Sequence, residues 1–343
     1  MRRHYLAISL LATAVASSGL AQQAAAAAAP AAPAAPAAAA PAAPAPLPAA
    51  VDTVAPEIAG VVKAGTKVQV IKTGLTTGTE GTIALNDGSG AVLFTNQQGN
   101  TVTKIDKDDN FSIFLDKITG INAITFNPKG QMIGLQRMQD GGKAQIAIIY
   151  PKGQEKVLSD AIDGKPILNP NDLIGDKKGG VYFTVPGAMP QAVYYITPEG
   201  KTVVATTEVD RPNGIQLNRA ENILYVASGG EYMRAFDINP DGSLKNARNF
   251  AKYGFMAANP TTGVMASGAD GMTIDSEGRL YAATNGGIEV FSEQGQNLGV
   301  IPLSRKGQNL AFAGPDKKTL YVVGNQAAWK IDMVAVGFRG RAK

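Results

Sequence analysis

The sequence predicts an all-β, six-bladed β-propeller, and three observations carry that expectation. Gly, Asn and Asp clusters punctuate short β-rich stretches throughout residues 60–343, and no stretch keeps helical periodicity over three turns. Six segments share one pattern: a polar residue, a short apolar strand, a Gly/Asp/Asn turn, then a second strand rich in Leu, Tyr, Phe and Val. They begin at Glu80 (EGTIALNDGSGAVLFT), Asn122 (NAITFNPKGQMIGL), Asn171 (NDLIGDKKGGVYFT), Asn213 (NGIQLNRAENILYVA), Asp270 (DGMTIDSEGRLYAAT) and Asn309 (NLAFAGPDKKTLYVV). Their spacings of 42, 49, 42, 57 and 39 residues match a four-stranded propeller blade, whose period is about 40–50 residues.

In chain order, residues 1–21 read as a signal peptide. Arg2 and Arg3 precede an apolar run from Tyr5 to Leu20, and small residues close it before Gln22. The run is shorter than the ~20 apolar residues a spanning helix needs. An Arg-Arg pair before Tyr5-Leu6 also resembles a twin-arginine signal, but two arginines are ordinary in any such leader, so the general secretory route is expected. The mature chain would then be periplasmic or secreted, with no transmembrane segment. Residues 22–55 read as a disordered Ala/Pro-rich linker. From Ala24 to Ala50 only Leu47 departs from alanine and proline, which offers no apolar face to offset the entropy of ordering. Residues 56–343 form the propeller. The stretch Val61–Ile71 (VVKAGTKVQVI) is expected to pair with the C-terminal AAWKIDMVAV in one blade, leaving no long open edge, with the sole tryptophan, Trp329, in the core.

Composition excludes several functions. Without Arg2 and Arg3 the chain holds 30 basic against 28 acidic residues and has no basic run, so nucleic acid is not an expected partner. Cysteine is absent, and the only histidine, His4, lies in the leader. Ser-His-Asp and Cys-His catalysis and histidine-ligated zinc or haem are thereby excluded from the mature protein.

Each repeat starts where the innermost strand of a blade begins. Glu80, Asn122, Asn171, Asn213, Asp270 and Asn309 should therefore ring one mouth of the central channel. Asx residues are common before strands, but turn chemistry does not explain oxygen donors at all six positions. Two crowded carboxylates repel unless neutralised, and an all-oxygen donor set suits one hard divalent cation. Calcium (Ca2+), which takes six to eight oxygens in flexible geometry, is expected, with Zn2+, Mn2+ or Mg2+ as substitutes.

The motifs TEGT (Thr79–Thr82), PNDLIGDKKGGVYFT (Pro170–Thr184), RPNGIQLNRAENILYVA (Arg211–Ala227) and ADGMTIDSEGRLYAAT (Ala269–Thr284) resemble the gluconolactonase/senescence marker protein (regucalcin) family. The resemblance implies a calcium-dependent six-bladed propeller that hydrolyses sugar lactones. It places the metal ligands on Glu80, Asn171, Asn213 and Asp270. The chain departs from the family's pattern at Asn169, where an arginine is usual, at Val185, where an acid is usual, and at Asn122-Ala123, where Asn-Gly is usual. The metal set is kept while substrate-facing positions differ.

The expected reaction is hydrolysis of a small lactone or related ester by a metal-polarised carbonyl and an activated water. Asp270 and Glu80 are the catalytic candidates in the absence of histidine, with Asp270 as base. Substrate contacts are expected from Asn122, Asn169, Asn309 and Arg137, the last suited to an acidic group. Loops 97–100, 137–142, 185–191 and 285–287 should line the pocket, and residues 251–267 form a lid or a packed insertion. Phosphotriester or aryl-ester hydrolysis on the same metal, and a non-catalytic metal-containing propeller that binds a ligand or partner, are the alternatives. Oligomeric state is not legible.

Overall fold

The computed structural model describes residues 47–137, 143–187, 191–258 and 263–343. The expected signal peptide and most of the expected linker lie outside them.

The repeated turn is the local origin of the fold. Asn127, Asp176, Asn218 and Asp275 each follow the first strand of a blade; Asn127, Asp176 and Asp275 accept backbone N–H bonds from two and four residues on, as from Lys178 and Gly180 to Asp176 (both 2.8 Å), and Asn218 from four and five residues on. Such Asx turns reverse the chain between strands, and alternating apolar residues bury both faces of each hairpin. Blade 1 comprises Thr79–Ala84, Val92–Asn96, Thr101–Ile105 and Phe111–Leu115. Blade 2 comprises Ile121–Phe126, Met132–Gln136, Gln145–Tyr150 and Lys156–Ser159. Blade 3 comprises Leu173–Gly175, Val181–Val185, Ala192–Ile196 and Thr202–Thr206. Blade 4 runs Ile215–Leu217, Ile223–Val226, Tyr232–Ile238 and Leu244–Lys252, and blade 5 Met272–Ile274, Leu280–Thr284, Gly287–Phe291 and Asn297–Ile301. All five are antiparallel sheets in sequential order.

Blade 6 closes the ring. Asn309–Ala313, Thr319–Gly324 and Ala327–Asp332 come from the C-terminal end, and Lys67–Thr73 from the N-terminal side pairs antiparallel with Ala327–Asp332, Val70 opposite Trp329. The expected closure is therefore present, and Trp329 is fully buried in the core. Thr53–Val54 adds a fifth strand to this sheet. The propeller thus begins before residue 56, inside the stretch read as linker. Its anchors are polar: the Val51 N–H donates to Ser304 Oγ at 3.0 Å and Thr53 Oγ1 to the Pro302 carbonyl at 2.7 Å. Single polar contacts of this kind leave no periodic trace in a sequence.

The six first strands touch one another in a closed circle, the last against the first. Threonines ending the second strands tie neighbouring blades together: Thr95 Oγ1 donates to the Asn122 carbonyl at 2.7 Å and Thr184 Oγ1 to the Asn213 carbonyl at 2.8 Å. No helix occurs among the described residues, and none is long and apolar enough to cross a membrane.

A feature the repeats do not announce lies at the end of the inner strands. Residues 337–343 run back beneath the ring as a strap. The Ala84 N–H donates to the Ala342 carbonyl at 2.7 Å, and Arg341 pairs with Glu221 at 3.1 Å while donating to the carbonyls of Leu217 and Asn218. Lys317 donates to the carbonyls of Phe338 (3.1 Å) and Arg341 (3.0 Å), and burial pulls its pKa down to about 8. Lys343 extends up the channel, its ammonium paired with Asp172 and donating to the Leu173 carbonyl. Both side chains are almost fully excluded from water, at 2% and 3% exposure. A lone charge left at such depth is costly. Lys343→Met should therefore lower the free energy of unfolding by about 3–5 kcal/mol, and Asp172→Asn in the same chain should recover most of the loss. Urea denaturation checks both.

Candidate metal centre and active site

The residues singled out by the repeats meet at one mouth of the channel, and the backbone explains how. In blade 1 the pairing register slips between Glu80 and Ile83, a bulge that re-aims the Glu80 side chain. The glycines of the DG and NG motifs allow close approach of neighbouring blades. A Cβ on Gly214 would stand 2.0 Å from the Asp270 carbonyl oxygen, and one on Gly271 would stand 2.5 Å from the Asn309 amide. Side chains at these positions would push apart the blades that supply Asn213, Asp270 and Asn309.

Glu80 is held from blade 6, accepting from Gln308 Nε2 at 2.9 Å and Asn309 Nδ2 at 3.4 Å. Gln308 itself is fixed, since its Oε1 accepts the Asn325 N–H at 3.0 Å. Burial, and then repulsion from Asp270 and Asp172, push the Glu80 carboxyl well above the usual carboxylate range. Asp270 is 8% exposed, and its pKa is pushed up to about 6. Burial is the main cause. Lys306 opposes it, Asp172 adds to it, and Arg137 and a hydrogen bond from the Asn213 side chain pull it back. The Lys306 ammonium stands 3.9 Å from Asp270 Oδ2.

The remaining predicted residues differ in setting. Asn171 and Asn213 are half-buried and hold backbone bonds to Thr184 and Ala227. Asn122 is buried at 3% exposure and spends Nδ2 on the Asn171 carbonyl at 2.7 Å. Asn309, 2% exposed, accepts at Oδ1 from the Leu310 N–H (2.9 Å) and the Thr82 N–H (3.3 Å). These two side chains brace the ring. Asn169 is exposed in a left-handed turn (φ +48°), and Val185 is part of the core. Arg137 is half-buried and donates from Nε to the Pro170 carbonyl at 2.6 Å, within electrostatic reach of Glu80 and Asp270. Gln308, Lys306 and Asp172 belong to the site and were not singled out from the sequence. Only the acid following Asn171 in the PND motif gave any signal there.

Among the described residues no three His, Cys, Asp or Glu side chains gather as a metal cluster. Half of the expected donor set is amide oxygen. Asn213 Oδ1 is buried without a hydrogen-bond partner, and beside it Asp270 raises the proton affinity of Glu80 while Asp172 raises that of both. An orphaned acceptor and two mutually repelling acids are the features a hard dication resolves, so Glu80, Asn171, Asn213 and Asp270 fit one.

Of the expected pocket loops, 97–100 and 285–287 are described in full, whereas 138–142 and 188–190 lie outside the described residues. In the 251–267 stretch, Tyr253 packs edge-on against Phe291 in the core, while Phe255 and Met265 are exposed. The hairpin Ala257–Ala258/Met265–Ala266 joins the turn at Asn285, whose Nδ2 donates to the Ala266 carbonyl at 3.2 Å. The described part of the insertion is thus packed at its base through Tyr253 and Asn285, while Phe255 and Met265 face solvent; residues 259–262 lie outside the described residues.

A raised Asp270 pKa makes the metal-free fold bind a proton more tightly than the unfolded chain does. The stability this contributes is present below the unfolded value near 4 and is lost as pH rises through about 6. The difference in unfolding free energy between wild type and Asp270→Asn should accordingly shift against wild type between pH 4 and 7. Saturating calcium should reverse that trend, because it binds the ionised form. Denaturation series in chelator and in calcium check the sign.

The comparisons with known proteins agree with this geometry. The model of the SMP-30/gluconolactonase/LRE-like region matches residues 51–325. The chain is 28% identical over 303 residues to a gluconolactonase of Zymomonas mobilis, covering 78% of this chain and 82% of that protein. The solved structure of a gluconolactonase from Xanthomonas campestris superposes with a TM-score of 0.69 at 23% identity, over 86% of this chain and 99% of that one. Regucalcin of Agrobacterium tumefaciens, a calcium-binding protein, superposes with a TM-score of 0.62 at 13% identity, over 80% and 96%. With its ring, its motifs and most of its length matched, the chain belongs to the SMP-30/gluconolactonase/LRE-like family.

Proposed function

We propose that this chain is an exported, calcium-dependent lactonase. The observation that carries the reading is the meeting of Glu80 and Asp270 with the orphaned Asn213 oxygen at the mouth of a gluconolactonase-family ring. The relatives named for gluconolactone hydrolysis and for calcium binding support the substrate class and the ion.

Glu80, Asn171, Asn213 and Asp270 would hold the cation. When bound, the ion supplies Lewis-acid polarisation of the ester carbonyl and stabilises charge building on its oxygen. The chain's own groups do the rest. Gln308 and Asn309 fix the Glu80 carboxylate before any ligand arrives, so little reorganisation is left for the reaction. Asp270 is the proton acceptor for the attacking water, because the only histidine lies in the leader and this carboxylate stands at the mouth where cation and water would meet. Before a cation binds, Lys306 stands 3.9 Å from Asp270 Oδ2 and favours its ionised form. Water attack on the carbonyl carbon passes one proton to Asp270, the ring C–O bond breaks, and the leaving alkoxide takes that proton back from Asp270 to give the hydroxy acid.

Hydrolysis of a lactone panel by metal-stripped protein, with and without calcium, tests the proposal. Turnover is expected only with calcium, and Asp270→Asn should lower kcat by about 100-fold or more, the scale of a lost general base. Unchanged turnover in chelator would reject metal dependence, and no turnover on any lactone would reject the activity. Export rests on the leader alone. Mature protein recovered from the cell envelope or medium should begin at Gln22, read by intact mass, whereas retention of Met1 in the cytoplasm would reject the leader.

A further inference from the structure

The charges of the channel, counted from the mouth inward, say something about the substrate that the metal set does not. Three carboxylates lie there: Glu80, Asp270 and Asp172. Three basic side chains already face them. Lys343 neutralises Asp172 from below, Lys306 stands 3.9 Å from Asp270, and Arg137 is drawn by both Glu80 and Asp270. With all three acids ionised, as a bound dication requires, these six side chains sum to zero before the ion's own charge is added. A dication on Glu80 and Asp270 therefore leaves the mouth with two surplus positive charges, and it takes from Arg137 and Lys306 the carboxylates they faced.

These two side chains are placed to be used. The Arg137 Nε–H is fixed on the Pro170 carbonyl, which holds the guanidinium within electrostatic reach of Glu80 and Asp270. Lys306 keeps 32% of its side chain exposed at the mouth. Its loop is clamped by Asn325, whose Nδ2 donates to the Lys306 carbonyl at 2.9 Å and whose carbonyl accepts from Arg305 at 3.1 Å. Two fixed cations in a partly desolvated mouth suit a ligand that brings its own negative charge. A neutral sugar lactone would leave both unpaired.

We infer that the preferred substrate is an anionic lactone, one carrying a carboxylate or a phosphate ester away from the scissile bond, and that Arg137 and Lys306 hold that group. The inference rests on the lactonase reading for the reacting ring, but the anion subsite can be measured apart from turnover. Calorimetric titration of three open-chain acids into calcium-loaded and metal-free protein, at fixed moderate salt, provides the test. Gluconate carries one carboxylate, glucarate two, and 6-phosphogluconate a carboxylate and a phosphate. The two acids with a second anionic group should bind the loaded protein at least ~10-fold more tightly than gluconate, as expected for one added charge-assisted contact. The ratio should fall towards one in Lys306→Met and be retained in Lys306→Arg, a rescue that a merely structural lysine would not show. Glucarate and 6-phosphogluconate separate a carboxylate from a phosphate subsite by which of them binds better.

Equal affinities for all three acids in wild type, or a ratio untouched by Lys306→Met, would overturn the inference. Parallel kcat/KM values on gluconolactone, an aldarolactone and a phosphorylated lactone keep the two readings apart. Turnover of the neutral lactone with no charge preference in binding sinks the anionic subsite and leaves the lactonase standing. Charge-selective binding without turnover of any lactone supports the subsite and sinks the lactonase.

Discussion

Every feature of the site depends on closing the ring. Glu80, Asn171, Asn213 and Asp270 come from the starts of four different blades, and no two of them are neighbours in sequence. They meet only because six first strands pack in a circle, and the circle closes because Lys67–Thr73 hydrogen-bonds to Ala327–Asp332. A ladder of backbone bonds between strands more than 250 residues apart supplies no chemistry, yet without it the blades would be an open array with two free edges. The anchors of Val51 and Thr53 on Ser304 and Pro302, and the fifth strand at Thr53–Val54, reinforce that seam.

Closure brings like charges together, and the structure shows how that cost is met. Asp172 is answered permanently by Lys343, threaded from the opposite end of the channel, and its oxygens also accept the Leu173 and Ile215 N–H groups. Glu80 and Asp270 are answered only in part, by amides and by cations that stand off at the mouth. The inner acid is satisfied by the protein and the outer two remain poised for a ligand. That division assigns structure to the depth of the channel and chemistry to its mouth.

Much of this was legible in the chain. The Asx turns at Asn127, Asp176, Asn218 and Asp275 recur at the same place in four of the six repeats, because a tight reversal between two short strands favours the same short polar side chains. Blade count, closure and the burial of Trp329 followed from that periodicity and from alternation. The ring residues were legible for the same reason: equivalent positions in a repeat must stand at equivalent heights around an axis. The Cβ positions of Gly214 and Gly271 are closed by Asp270 and Asn309 of the neighbouring blade, a constraint between blades that local sequence does not show.

Local periodicity and residue type thus determined an all-β repeat, six blades, and the acids and amides facing one channel mouth, because those properties are set by spacing along the chain. The tertiary structure alone decided which of the six are braced and which are open. Asn122 and Asn309 look the same as Asn171 and Asn213 in the sequence, but the Asn122 Nδ2 and the Asn309 Oδ1 are spent on backbone groups, and the Asn309 Nδ2 on Glu80. It also decided the company they keep. Lys306, Gln308, Arg341 and Lys343 sit at no repeated position, and their roles arise from a loop clamp and a strap that cross the ring rather than follow it. Contacts between segments so distant in sequence leave no period to read, and they set the charge of the site.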